Sequence, residues 1–337
     1  MNFIITVDPA NIKHVFSRNF GNYGKGSNFH EMFEVLGDGI FNTDDTLWQY
    51  HRNLTHSFFG NPKFQSVLVD TIRDDIESRL IPLLNYVSNS NVEIDLKDVF
   101  IRFTFDNICT ILMNHNPNFL SIDLPRLKFT IAIRNIEEVI FKRHLVPKFV
   151  WKPLRWLSVG EKKYKRDCQT VDNFLYMLIA KNREKRTRTT SINSKQVTDV
   201  SFDLVKYIDE GDTTTAPNKR GDKFLRDTMF SLILAGANTS SVAFSWFFYI
   251  LSKYPHVTNK IRDELNTIMN FNEHNNKLLY LHAAICETLR LCPPVAFDHK
   301  ASIKSDVLPS GHHLNPDMHI VFDMYAMGRL KSMGRRL

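Results

Sequence analysis

Residues 229–252 carry no charged side chain over 24 consecutive positions, and a helix of that length would reach across a bilayer. A chain with such a segment must either place it in lipid or build a large core around it. The middle of the segment decides between the two. Gly236, Asn238, Thr239, Ser240, Ser241 and Ser245 form a polar cluster there, which is costly in lipid without partners. The segment therefore reads as the central helix of a soluble core, apolar on all sides, with one polar patch turned toward a cavity. At 337 residues, 43% of them hydrophobic, the chain has the material for that core.

The surrounding pattern is helical too. Leu68, Ile72, Ile76, Leu80 and Leu84 recur at helical spacing, as do Phe100, Thr104, Ile108 and Leu112 behind Asp95, a natural N-cap. After Pro255, suited to a first helical turn, Val257, Ile261, Leu265 and Ile268 predict an amphipathic helix. A further helix over 278–291 is stopped by Cys292-Pro293-Pro294, because proline disfavours helix in the residue before it and cannot donate to the ladder. A turn over 306–311 and a short strand over 319–322 follow. The fold class is thus mainly α with a small β component late in the chain. Residues 181–220, rich in Thr, Ser, Asn, Lys and Arg, predict a flexible surface loop with a short helical piece over 204–208.

Lys and Arg total 43 against 36 Asp and Glu, a net +7. The excess is concentrated over 142–188, which includes Lys142, Arg143, Lys148, Lys152 and the run Lys162, Lys163, Lys165 and Arg166. No nucleic-acid-binding motif accompanies this charge, so a nucleic-acid partner is not expected. Anionic lipid, an acidic protein partner or a solvated helix face remains. Cys109, Cys168, Cys286 and Cys292 are too few for a disulfide framework and lack the paired spacing of a structural zinc site.

Three local patterns carry chemistry. Trp48 and Arg52, four apart, put an indole N–H and a guanidinium on one helix face, where two donors can hold a carboxylate. Gly236-Ala237-Asn238-Thr239 breaks helix preference in mid-helix; a small residue there admits a flat ligand, and a Thr hydroxyl facing a cavity can relay protons. Glu287 and Arg290, three apart, can form a charge-assisted pair.

Together and in this order, these residues resemble the cytochrome P450 superfamily. Trp48-x-x-x-Arg52, Ala235-Gly236-Ala237-Asn238-Thr239, Glu287-x-x-Arg290 and Pro293-Pro294-Val295 through Lys300 look like its C-helix, I-helix, K-helix and following-strand motifs. The wording of Gly37-Asp38-Gly39-Ile40-Phe41-Asn42-Thr43-Asp44 and of 234–241 is most similar to the plant families that hydroxylate fatty acids and alkanes. The similarity runs from Asp8-Pro9-Ala10 to about Ser332, and it implies a single P450 domain over 1–337. It implies a haem cofactor whose propionates are held by Trp48, Arg52 and Lys300. Thr239, with Asn238 and Gly236, would serve oxygen activation, and Glu287 with Arg290 would be a structural pair behind the haem. It also implies an NADPH-cytochrome P450 reductase partner, which the basic run 162–166 could meet, a lipid-like substrate, and an endoplasmic reticulum membrane location for a full-length member.

The pattern is also broken. The family's haem-ligating cysteine stands in a Phe-x-x-Gly-x-x-x-Cys loop, a thiolate that favours O–O cleavage; none of the four cysteines here has those neighbours, so no axial metal ligand is assigned. Asn238 replaces the family's usual acid, and the arginine that completes the Glu287–Arg290 network is missing, which would leave that pair under-satisfied. The reading is a partial fold without membrane anchor or cysteine loop, inactive as it stands. Two alternatives are a haem-free remnant acting as an interaction module and a single-pass membrane protein spanning 229–252.

Overall fold

The helical spacings translate into helices wherever a start signal coincides with them. In the computed structural model, which describes residues 3–191, 204–209, 221–271 and 278–331, the helices in chain order are α1 (Pro9–Lys13), α2 (Ser27–Met32), α3 (Asp45–Phe59), α4 (Pro62–Asp75), α5 (Ile81–Ser90), α6 (Leu96–Met113), α7 (Lys128–Leu145), α8 (Lys148–Leu157), α9 (Val159–Ser191), α10 (Leu204–Asp209), α11 (Asp222–Lys253), α12 (Pro255–Phe271), α13 (Leu279–Leu291) and α14 (Met324–Met327). The strands are β1 (Phe3–Thr6), β2 (Tyr23–Gly24), β3 (Phe297–Ser302), β4 (Asp306–Val307), β5 (His313–Leu314) and β6 (His319–Asp323). Asp95 accepts the Lys97 amide at 2.9 Å and starts α6, as its position predicts. Asn61 caps α4 in the same way, followed by Pro62 at the first helical position. The repeat from Leu68 to Leu84 is one helical path, widened by a π-type turn at Ile76–Leu80 that joins α4 to α5.

Two expectations are corrected. The loop predicted over 181–220 begins as helix, because α9 runs on to Ser191; α10 stands where the short helical piece is expected, and the remainder lies outside the described residues. The β component is not confined to the end of the chain either. β1 pairs parallel with β6 (Phe3 beside His319) and β2 antiparallel with β3 (Tyr23 beside Ser302), so the sheet order is β1-β6-β3-β2. Strands of two to four residues leave too little alternation to be seen in the sequence.

The chain divides into two compact units. One comprises Ser27–Ile94 and Arg102–Ala237. Its core gathers Phe105, Phe129 and Phe174, with ring centroids 4.5–5.9 Å apart, alongside Leu112, Leu175, Met229 and Ile233. Asp106, fully buried, holds the 119–120 turn by accepting the Phe119 and Leu120 amides at 3.0 and 2.9 Å, and it also accepts Arg79 at 2.9 Å. Arg143, expected in the basic surface cluster, is 2% exposed here: it pairs with Glu161 at 2.7 Å and lies against the Trp151 and Tyr164 rings. Lys142, Lys148 and Lys152 are also engaged, with Glu138 at 2.6 Å and with Glu31 at 2.8 and 3.3 Å.

The other unit comprises Met1–Gly26, Asp95–Ile101 and Asn238–Leu337. Its sheet packs Val15, Tyr23, Leu308, Leu314, Ile320 and Phe322. Asp306 ties the N-terminal segment to the β4–β5 hairpin by accepting Tyr23 Oη at 2.5 Å, Asn19 Nδ2 at 2.7 Å and His14 Nε2 at 2.8 Å. Although burial opposes its ionisation, the Tyr23 and His14 hydrogen bonds hold its carboxyl well below the usual range.

Candidate functional site

α11 carries the polar cluster without a break, because its hydroxyls bond within the helix. Ser241 Oγ donates to the Asn238 carbonyl at 2.9 Å and Ser245 Oγ to the Ser241 carbonyl at 2.7 Å. Thr104 of α6 donates to the Ala237 carbonyl at 3.0 Å. Gly236 does not open onto space for a ligand in this arrangement. A Cβ there would stand 2.8 Å from Cδ1 and 2.9 Å from Cγ1 of Ile108, so the missing side chain is the room α6 needs to pack. Asn238 and Thr239 are half-buried, and the two units meet in sequence between Ala237 and Asn238. α11 has the length and apolar character of a membrane span, with mean hydropathy 1.2. Met229, Phe230, Ile233 and Ala237 in its N-terminal half are at most 3% exposed and enclosed by protein, while Phe244, Trp246, Phe248 and Tyr249 in its C-terminal half are 38–53% exposed.

α3 presents Trp48 and Arg52 four residues apart, the indole half-buried and the guanidinium exposed. His51 between them points elsewhere: it is 1% exposed and stacks on Phe224. Such a pair of donors at the helix surface suits a carboxylate.

In the sheet unit, Glu287 and Arg290 of α13 form the expected pair: Arg290 Nε donates to Glu287 Oε2 at 2.6 Å and Nη2 reaches Oε1. The hydrogen bond from Arg290 lowers the Glu287 carboxyl pKa, and Glu287 raises that of the guanidinium. The network is not under-satisfied, because Arg290 Nη1 also donates to the Gly328 carbonyl. Lys300 sits on β3, 6% exposed, its ammonium 5.1 Å from the Phe20 ring centroid and 5.9 Å from that of Phe16.

Burial pushes the Cys109 thiol well up and that of Cys168 up to about 12, so both are protonated thiols in packed surroundings. Cys286 lies exposed on α13 with its sulfur 3.7 Å from the His282 ring nitrogens, and Cys292 closes that helix through its backbone. Neither Cys109 nor Cys168 therefore presents a thiolate to a metal.

Glu34, Val35, Tyr164, Cys168, Asp172 and Arg226 line a cavity of about 500 Å³ between the 34–37 turn, α9 and α11. Its Arg226–Asp172 ion pair, 2.5 Å, joins positions 54 residues apart, so no local spacing could signal it.

The chain matches the family Cytochrome P450 over residues 1–333. It is 39% identical to alkane hydroxylase MAH1 of Arabidopsis thaliana, over 98% of this chain and 66% of that protein. It is 36% identical to noroxomaritidine synthase of Narcissus aff. pseudonarcissus MK-2014, over 99% and 65%, and 32% identical to cytochrome P450 94A2 of Vicia sativa, over 97% and 63%. The chain thus spans about two thirds of the length of these curated relatives. A crystal structure of a cytochrome P450 shares its fold at 17% identity, with a TM-score of 0.74 over 98% of this chain and 73% of that one.

Proposed function

This chain belongs to the cytochrome P450 family, and from that premise we propose that it is the greater part of a haem-thiolate monooxygenase acting on a long-chain fatty acid, alkane or similar lipid-like substrate. The family match over 1–333, with an alkane hydroxylase 39% identical along almost the whole chain, carries this reading. When bound, the haem supplies activation of O2 for insertion of one oxygen atom into a substrate C–H bond. Trp48 and Arg52 would hold the propionates by an indole N–H and a guanidinium, charge-assisted bonds in the latter case, and Lys300 would add a second cation. Thr239 moves a proton through its hydroxyl, while Asn238, which cannot titrate, orients rather than donates charge. Glu287 and Arg290 brace α13. Electrons come from NADPH through a reductase that meets the basic run 162–166, and the full-length protein is placed at the endoplasmic reticulum membrane.

The buried, protonated thiols of Cys109 and Cys168 support a second element of the proposal: neither of them is the thiolate ligand of the haem. The test is to express the chain, add haemin, reduce, add CO and record the Soret band, then repeat with a Phe-x-x-Gly-x-x-x-Cys segment from the alkane hydroxylase relative fused on. The thiolate-type band is expected only after fusion. A thiolate-type band in the unextended chain that Cys109→Ala or Cys168→Ala abolishes refutes this assignment, and failure of the fused chain to bind haem refutes the monooxygenase.

A further inference from the structure

Asp227 lies in the second turn of α11, 1% exposed, and none of the chemistry above uses it. Its carboxylate is fully engaged. Oδ2 accepts the Asp38 amide at 2.8 Å and Lys223 Nζ at 2.9 Å, and Oδ1 accepts Arg226 Nη1 at 2.8 Å. The turn it grips is shaped around it. Gly37 has φ +55°, where a side chain is strained, and a Cβ there would overlap the Asp227 carboxylate; a Cβ on Gly39 would overlap Ser231 Oγ. Arg226 reaches past to the Val35 carbonyl at 2.7 Å, and Lys223 to the Asp38 carboxylate at 2.5 Å.

The grip continues into α3. The Asp38 carbonyl accepts a hydrogen bond from His51 Nε2 at 2.7 Å, and the His51 ring stacks on Phe224 of α11 with centroids 5.0 Å apart and planes 16° apart. Between turn and helix, Asn42 Nδ2 donates to the Gly37 carbonyl at 2.9 Å and Thr43 Oγ1 to the Gly39 carbonyl at 3.1 Å. His51 lies on α3 between Trp48 and Arg52, so whatever fixes His51 fixes the helix that carries both donors.

We propose that Asp227 is a positioning residue: through the Gly37-Asp38-Gly39 turn and His51, the first turns of α11 set the orientation of α3 and hence of Trp48 and Arg52. What those two donors hold rests on the proposed function; the mechanical link does not. Removing the carboxylate leaves the Asp38 amide without its acceptor and takes one anion from each of Lys223 and Arg226, which keep only Asp38 and Asp172. The turn is then released, and α3 keeps Trp48 and Arg52 without the orientation a two-donor site requires.

The experiment uses the 337-residue chain with two readouts, hydrogen exchange of peptides covering 36–44 and 45–55, and haemin titration. Asp227→Ala is expected to speed exchange at least about tenfold in both peptides while the α7 and α9 peptides stay as in wild type. Asp227→Asn, which keeps an acceptor for the Asp38 amide, is expected to restore part of that protection. Arg52→Gln is expected to weaken haemin binding with exchange unchanged, whereas Asp227→Ala weakens it about as much through the displaced helix. Gly37→Ala presses on the same carboxylate from the other side and gives an independent variant if Asp227→Ala does not fold. Unchanged exchange over 45–55 overturns the proposal, as does wild-type haemin affinity in a deprotected Asp227→Ala chain. Haemin binding that ignores Arg52 refutes the propionate assignment alone, and exchange over 45–55 then decides the role of Asp227.

Discussion

Gly236→Ala separates two explanations of the glycine in mid-α11. If the position were empty to admit a ligand, alanine in the ligand-free chain would stabilise the helix by about 1 kcal/mol, the difference in helix propensity. The structure predicts the opposite sign. The new methyl would stand 2.9 Å from Ile108 Cγ1 and 2.8 Å from Cδ1. Cδ1 can swing away about χ2, but Cγ1 is fixed by χ1, which is stiff for a β-branched residue in a helix. Forcing a methyl into that contact costs about 1–3 kcal/mol, so after the propensity gain the variant should lose about 1 kcal/mol. In an Ile108→Ala background only the retained Cβ remains, at 3.6 Å, an ordinary contact. There Gly236→Ala should stabilise by about 1 kcal/mol, a sign reversal that amounts to a coupling of about 2 kcal/mol. Urea unfolding followed by circular dichroism on the four chains gives the cycle. Stabilisation by Gly236→Ala in the wild-type background would refute the packing account.

Three further outcomes follow from the same structure. Arg143→Met leaves the buried Glu161 without its cation and should cost about 3–5 kcal/mol in urea unfolding, with part recovered by adding Glu161→Gln. Because Arg290 depresses the Glu287 pKa in the folded chain, the pair stabilises above the unfolded carboxyl value and is lost as pH falls through the folded one; an acid titration should show that loss, and Glu287→Gln should abolish it. Asp306→Ala removes one acceptor from Tyr23, Asn19 and His14 together and should speed hydrogen exchange at β2 and β3 by the equivalent of about 1.5–3 kcal/mol, with α7 unaffected.

Local chemistry explains what was readable in the chain. Asp95 and Pro255 announce helix starts because an N-cap acceptor and a pre-set φ act within a few residues. Glu287 and Arg290 pair because three residues is a helix neighbour distance. Loop composition misled at 181–191, where α9 continues: polar, charged residues tolerate helix, and tertiary packing of Leu175, Leu178 and Ile179 carries the helix in. Trp48 and Arg52 are legible as a spaced pair of donors, while the hydrogen bond from Asp38 to Asp227 is not, since the two are 189 residues apart.

The sequence by itself determined the helical class, the family and the order of its motifs, all of which depend on residue type at short, fixed spacing. Tertiary structure alone decided that β1 and β2 complete a sheet with strands near residue 300, and that Arg143 is buried rather than part of a basic face. It also decided that Gly236 makes room for Ile108 and that Asp227 holds the turn ahead of α3. Each of these is a contact between distant segments, whose free energy depends on which surfaces meet, and no periodicity in a single chain records that.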